Sequence, residues 1–254
     1  MAKYVEINNI KMWYDERGSG EPLVMLHPGG VDSRAFEPNV QALSEKFHLF
    51  LPERRGHGHT PDPEGDYNFD LVAEDTIHFI EQIVGKPARV MGYSDGALVG
   101  LLVAKKRPDL VIKLICAAGV YHRDGWYAEA IAPVSEPPDF MIESYADVSP
   151  DGKDHLPIVL AKLNKMHAEN ITLTVDDLKN IQCQILVMLS DDDEIKLEHA
   201  ISFYRALPKG ELAVVPGTSH GFLVEKSDLC NKIMLDFLTL DPIETYAPIH
   251  RLKK

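Results

Sequence analysis

Val90-Met91-Gly92-Tyr93-Ser94-Asp95-Gly96-Ala97 is the stretch whose reading decides the fold. The run Ala88 to Met91, apolar at three of its four positions, leads into it as a short buried strand, and residues 97–104 leave it as a mostly buried helix. Between them two glycines flank one serine. Strand, tight turn and helix around Gly-x-Ser-x-Gly form the context that gives the pattern a chemical meaning. The serine is expected on a strained bend with its hydroxyl projecting. Gly92 and Gly96 carry no Cβ, so strand and helix can approach closely there. The helix directs its free N–H groups and the positive end of its dipole back toward the serine.

Outward from this stretch the chain alternates strands and helices. Tyr4-Val5-Glu6-Ile7 and Lys11-Met12-Trp13-Tyr14 read as a hairpin across Asn8-Asn9. Leu23-Val24-Met25-Leu26 reads as a strand buried on both faces, ending at His27-Pro28-Gly29-Gly30. A glycine pair there marks a close backbone approach or a simple turn. A helix is expected over 33–43, a strand over 48–51 and an amphipathic helix over 71–84. After the serine come a strand over 111–118, one over 185–189, a helix over 197–207, a strand over 211–215 and a helix over 229–238. The rhythm breaks at 121–181, which holds amphipathic stretches and no buried strand. The pattern predicts an α/β fold with a mostly parallel sheet covered by helices, residues 1–120 and 182–240 forming the core. Residues 121–181 are a helical insertion, and 241–254 an extended or frayed tail.

The chain has 254 residues, 45% hydrophobic and 26% charged, which suits one globular domain with an insertion and a sizeable core. Its net charge of −13 repels phosphate backbones and anionic membranes, so nucleic-acid and membrane partners are not expected. No apolar run spans a bilayer, and the first residues lack a secretory core. Cys116, Cys183 and Cys230 are scattered and read as reduced, packed thiols of a cytoplasmic protein.

Three polar signals follow predicted strands, where an open α/β sheet presents its ligand crevice: Ser94, the acidic run Asp191-Asp192-Asp193-Glu194, and His220. A serine hydroxyl needs a neighbouring base to act as a nucleophile. A histidine titrates in the useful range and can pass the proton to a leaving group. A carboxylate behind the imidazole fixes its tautomer.

In this order of signals the chain resembles an α/β-hydrolase over nearly its whole length, with a sheet of about eight strands and a helical cap over 121–181. The resemblance makes Ser94 the nucleophile, His220 the base and Asp193 the acid, with Asp191 the alternative. It implies an oxyanion hole from the backbone N–H groups of Gly29 and Asp95, and it matches Arg55-Gly56-His57-Gly58-His59-Thr60 to a family turn. Pro28 and Ser190 stand where the family usually has glycine, and Gln184 where proline is frequent.

His57-Gly58-His59 together with the acidic run also looks like a metal arm. The family turn accounts for it, and no third ligand motif follows, so neither metal nor cofactor is expected. His27, Gly30, Trp126, Tyr127, Met141 and Tyr145 are candidates for contact with substrate, and Phe140 and Met166 are further apolar residues of the insertion. Asp124, Glu136 and Asp139 are candidate carboxylates for a substrate ammonium. The expected activity is hydrolysis of a small-molecule carboxylic ester or lactone, such as a macrocyclic lactone or amino-acid ester, by a monomer or weak homodimer. The same triad serves amide, thioester and C–C bond hydrolysis, and a ligand receptor or signalling module on this fold is the alternative of a different class.

Overall fold

Asn8 and Asn9 both carry positive φ, 46° and 64°, the conformation a two-residue hairpin turn requires. They fold β1 (Lys3–Ile7) back on β2 (Ile10–Gly18). This hairpin begins the computed structural model, which describes residues 3–132, 137–169, 173–240 and 245–247. Six further strands complete the sheet: β3 (Glu21–Leu26), β4 (Phe47–Pro52), β5 (Ala88–Tyr93), β6 (Val111–Ala117), β7 (Gln184–Ser190) and β8 (Gly210–Val215). Their order is β1-β2-β4-β3-β5-β6-β7-β8. β2 is antiparallel to β1 and β4, and every other neighbouring pair is parallel.

The central strands are apolar on both faces because helices cover them. Leu23, Val24 and Met25 of β3 and Val90 and Met91 of β5 are fully buried. A short turn, Ser33–Phe36, leads into α1 (Glu37–Ser44). α2 (Phe69–Phe79) starts where the Asn68 side chain accepts the Leu71 N–H at 2.7 Å, a side-chain cap on an otherwise unpaired donor. α3 (Asp95–Lys106) packs against α2, β5 and β6. From β3 the chain moves to β4 on one side, then crosses to β5 on the other. The loops after β3 and β5 therefore diverge at a switch point and leave a crevice between them.

The described residues of 121–181 hold a turn at Arg123–Gly125, α4 (Asp139–Val148), α5 (Leu156–Glu169) and α6 (Val175–Lys179). Trp126 makes a single bridge to Ile195. Polar clamps tie α4 and α5 to the sheet side. Asp62 accepts from Lys162 at 2.7 Å and contacts His155 Nε2 at 2.7 Å. Arg34 donates to the Ser144 carbonyl at 2.5 Å. α7 (Leu197–Ala206), α8 (Phe222–Glu225) and α9 (Ser227–Thr239) follow, with α9 packed on α1. The expected tail, 241–254, lies outside the described residues except for 245–247.

The close approach expected at the serine turn is extreme at Gly96, where a Cβ would stand 2.0 Å from the Leu26 carbonyl oxygen. That oxygen belongs to the central sheet and cannot yield. Gly96→Ala is expected to destabilise the fold by about 2–3 kcal/mol or more. The midpoint of urea unfolding, compared between the two proteins, measures it.

Candidate active site

Ser94 follows β5 and caps α3 with φ 54° and ψ −119°. A non-glycine residue held there is strained, and strain of this kind gathers where side chains are presented for chemistry. The turn is pinned by the Ser94 N–H, which donates to the Ala117 carbonyl at 2.8 Å.

His220 lies in the loop before α8, with Nε2 3.1 Å from Ser94 Oγ and Nδ1 2.7 Å from Asp193 Oδ1. Asp193 follows β7. Its Oδ2 accepts from the Ser190 N–H at 3.0 Å and the Ser190 hydroxyl at 2.8 Å. Ser190, a departure from the family's glycine, thus supplies a second donor to this carboxylate. Asp191 turns elsewhere, its Oδ1 accepting the Thr218 N–H at 3.2 Å.

Burial weighs most heavily on both members of the His220–Asp193 pair and opposes both charges. It is outweighed in each. The bond to His220 holds the Asp193 carboxyl below its ordinary range. Asp193, with the charges of Glu194 and Asp95, lifts the His220 imidazole above its ordinary value. The pair is electrostatically matched: each partner favours the charged form of the other.

Gly29 and Asp95 meet across the crevice. A Cβ on Gly29 would lie 2.2 Å from Asp95 Oδ2, and the Asp95 N–H belongs to the first turn of α3, which has no intrahelical acceptor. Behind them are two buried rings. His27 Nδ1 donates to the Pro28 carbonyl at 2.7 Å, and its Nε2 accepts the Arg54 N–H at 3.0 Å. His57 Nδ1 donates to the Arg55 carbonyl at 2.9 Å, and its Nε2 accepts the Gly30 N–H at 3.2 Å. Burial, reinforced by Arg54, pushes His27 well below its usual range and His57 down to about 4. Both rings are neutral, and their bonds use the Nδ1–H tautomer. His59 turns its Nδ1 to buried Glu53 at 3.0 Å, so the two histidines of the apparent metal arm serve separate loop contacts.

A cavity of about 500 Å³ opens over Ser94, lined by Gly29, Asp95 and His220 and by Trp126, Phe140 and Met141 of the 121–181 segment. The other candidate contacts stand away from it. His27 and Gly30 are spent on the loop framework described above. Tyr127 follows Trp126 in extended chain, so its side chain points the opposite way, out to solvent. Tyr145 sits one helical turn beyond Met141, over Gly56 and His57 in a separate small cleft. Met166 is packed in the core. Asp124 and Asp139 are exposed and do not line the cavity, and Glu136 lies outside the described residues.

Two further lining residues are Glu194, read in the sequence only as part of the acidic run, and His167. Glu194 Oε2 is 3.9 Å from His220 Nε2. His167, on α5, places Nε2 2.9 and 3.0 Å from the two Asp95 oxygens. The partners are far apart in the chain, and His167 reads there as one polar residue of an amphipathic helix.

Hydroxyl, imidazole and carboxylate hydrogen-bonded in series, at strand ends of a mostly parallel eight-stranded sheet, define the class: a hydrolase with a nucleophile elbow. Residues 23–232 match the model of the "Alpha/beta hydrolase family", and the chain belongs to that family. Among its relatives is the (E)-2-((N-methylformamido)methylene)succinate hydrolase of Acinetobacter baylyi, 24% identical over 257 residues that cover 92% of this chain and 97% of the relative. Another is the serine hydrolase BPHL of Homo sapiens, 24% identical over 258 residues, covering 92% and 85%. The solved enol-lactonase from Burkholderia xenovorans LB400 superposes with a TM-score of 0.76 at 20% identity, covering 94% of this chain and all of that one. Hydrolysis is the class of reaction these likenesses support. Among the described residues no helix is long and apolar enough to cross a membrane.

Proposed function

We propose that the chain is a serine hydrolase that cleaves a small-molecule carboxylic ester or lactone, with residues 121–181 acting as the cap over its site. The observation that carries the reading is the unbroken Asp193–His220–Ser94 relay at the floor of a largely apolar cavity. Ser94 Oγ attacks the carbonyl carbon as His220 Nε2 takes its proton. The tetrahedral oxyanion is received by the N–H groups of Gly29 and Asp95, a preorganised pair of donors of the kind worth about 3–4 kcal/mol each. His220 returns the proton to the leaving oxygen, then activates the water that clears the acyl-enzyme.

A fluorophosphonate probe followed by a panel of short-chain esters, lactones, amides and thioesters tests this. Labelling that disappears in Ser94→Ala, with many turnovers on esters or lactones, is the expected result. Turnover confined to amides would move the reaction class, and a single turnover would favour a receptor. No labelling and no turnover would end the serine reading.

The electrostatics set a pH profile. His220 must be neutral to act as base, and its pKa is raised above the ordinary 6.5. kcat/KM is therefore expected to be low in acid and to rise to a plateau, with a midpoint above 6.5. A profile flat through the imidazole range would remove His220 from the role of base.

A further inference from the structure

Asp95 carries a side chain that the hydrolytic relay leaves unused. Its carboxylate lies against Gly29 and is nearly covered, with a side-chain exposure of 6%, whereas His167 opposite it keeps 31%. Both Asp95 oxygens are taken by His167 Nε2. The charge of the buried Arg54 guanidinium also favours the ionised Asp95. The cavity thus contains an acidic side chain that is already satisfied, and a ring that is open.

The ionisable residues lining the cavity form two pairs, His220 with Glu194 at 3.9 Å and Asp95 with His167 at 2.9 Å. Glu194 is half exposed, and among the described residues its one cationic partner is the His220 ring. His220 delivers its proton to the leaving group, so the leaving group lies beside His220, where Glu194 repels a second anion. The acyl portion is then left to the Asp95–His167 pair on the same cavity wall. With His167 protonated, the positive charges acting on Asp95, those of His167 and of the buried Arg54 behind the wall, outnumber its own. His167 Nδ1 makes no hydrogen bond to the described residues, so the second N–H of the imidazolium remains to be used. The Phe69 ring lies 6.0 Å from the His167 ring, and Leu98 and Met141 line the same cavity, apolar surroundings in which a charge-assisted hydrogen bond gains strength.

We propose that His167, clamped by Asp95 on the cavity wall, is a specificity-determining residue that receives a free carboxylate on the acyl part of the substrate and denies the site to an ammonium group. The proposal rests on the serine hydrolase reading above and names the substrate class: half-esters of dicarboxylic acids. The charge of Asp95 raises His167 above its ordinary range, against burial and the opposing charge of Arg54. The ionisable groups around the Asp95 carboxylate are His167, Arg54 and His57, and His57 is neutral.

The test compares ethyl esters of matched length by pH-stat: monoethyl glutarate, ethyl pentanoate and ethyl 5-aminopentanoate. The expected kcat/KM falls in that order, with roughly tenfold or more between the carboxylate and ammonium substrates. His167→Gln keeps a donor to Asp95 but loses the cation. It is expected to reduce the glutarate-to-pentanoate ratio about tenfold and to raise the relative rate on the ammonium ester. In the unaltered protein the same ratio is expected to shrink as pH rises through the His167 titration, a readout that needs no variant to fold. An ammonium ester preferred by the unaltered protein, or a charge ratio indifferent to both His167→Gln and pH, overturns the proposal while Ser94 labelling and pentanoate hydrolysis persist. Absence of labelling and of hydrolysis of all three esters overturns the serine reading and this assignment with it.

Discussion

Ser94→Ala is expected to lower kcat by about five to six orders of magnitude, with KM within a few-fold of the unaltered protein. The change removes the one oxygen in line with His220 Nε2, 3.1 Å away, and no other hydroxyl among the described residues is bonded to that ring. The fold should survive. Alanine carries the same Cβ as serine into the φ 54° turn, and the turn is held by the Ser94 N–H to Ala117 and by the first bonds of α3, which the substitution leaves in place. What activity remains comes from the N–H donors of Gly29 and Asp95 acting on bound substrate and water. Single-turnover measurements on an aryl ester separate the loss in chemistry from any loss in binding. A variant retaining even a hundredth of the activity would require a different nucleophile.

Asp193→Asn is expected to lower kcat by about four orders of magnitude, because it changes a tautomer more than a shape. Asp193 Oδ2 already accepts from the Ser190 N–H and hydroxyl. In the asparagine variant those two donors hold the side-chain oxygen, which leaves the amide NH2 facing His220 Nδ1. The imidazole must then accept at Nδ1 and carry its proton on Nε2, pointing at Ser94 Oγ instead of receiving from it. Loss of the carboxylate also removes the main influence that lifts His220, so the midpoint of the residual kcat/KM profile is expected to move toward acid. Asp191→Asn is the comparison. Its carboxylate serves the Thr218 N–H, so its activity should stay within a few-fold of normal. If the two substitutions exchanged their effects, the acid of the relay would be Asp191.

The candidate site was legible because each part is anchored to a strand end, and strand ends are marked by short apolar runs that stop at glycine or at a polar cluster. Ser94 follows β5, Asp193 follows β7 and His220 follows β8, so the sheet's own order brings them to one edge. Ser190 shows the limit of that legibility. It stands out in the sequence only as a missing glycine, whereas in the fold it is a donor that holds Asp193. His27 and Gly30 show a second limit. Their place beside the site is evident from the chain, but whether they face substrate or framework depends on His57 and Arg54, which arrive from the next loop.

The sequence by itself determined the α/β architecture, the hydrolase family and the strand-end positions of Ser94, Asp193 and His220. Alternation of apolar runs and turns is a local property, and local pattern carries that much. Tertiary structure alone decided which parts of 121–181 reach the cavity. Trp126, Phe140 and Met141 line it while Tyr127 and Tyr145 do not, because the extended chain at 126–127 and the placement of α4 each select the side presented. It also decided that Asp95 is met by His167, a pairing between a turn and a distant helix. No periodicity encodes such a contact, since it depends on how α5 is packed over the sheet by clamps such as Asp62 with Lys162.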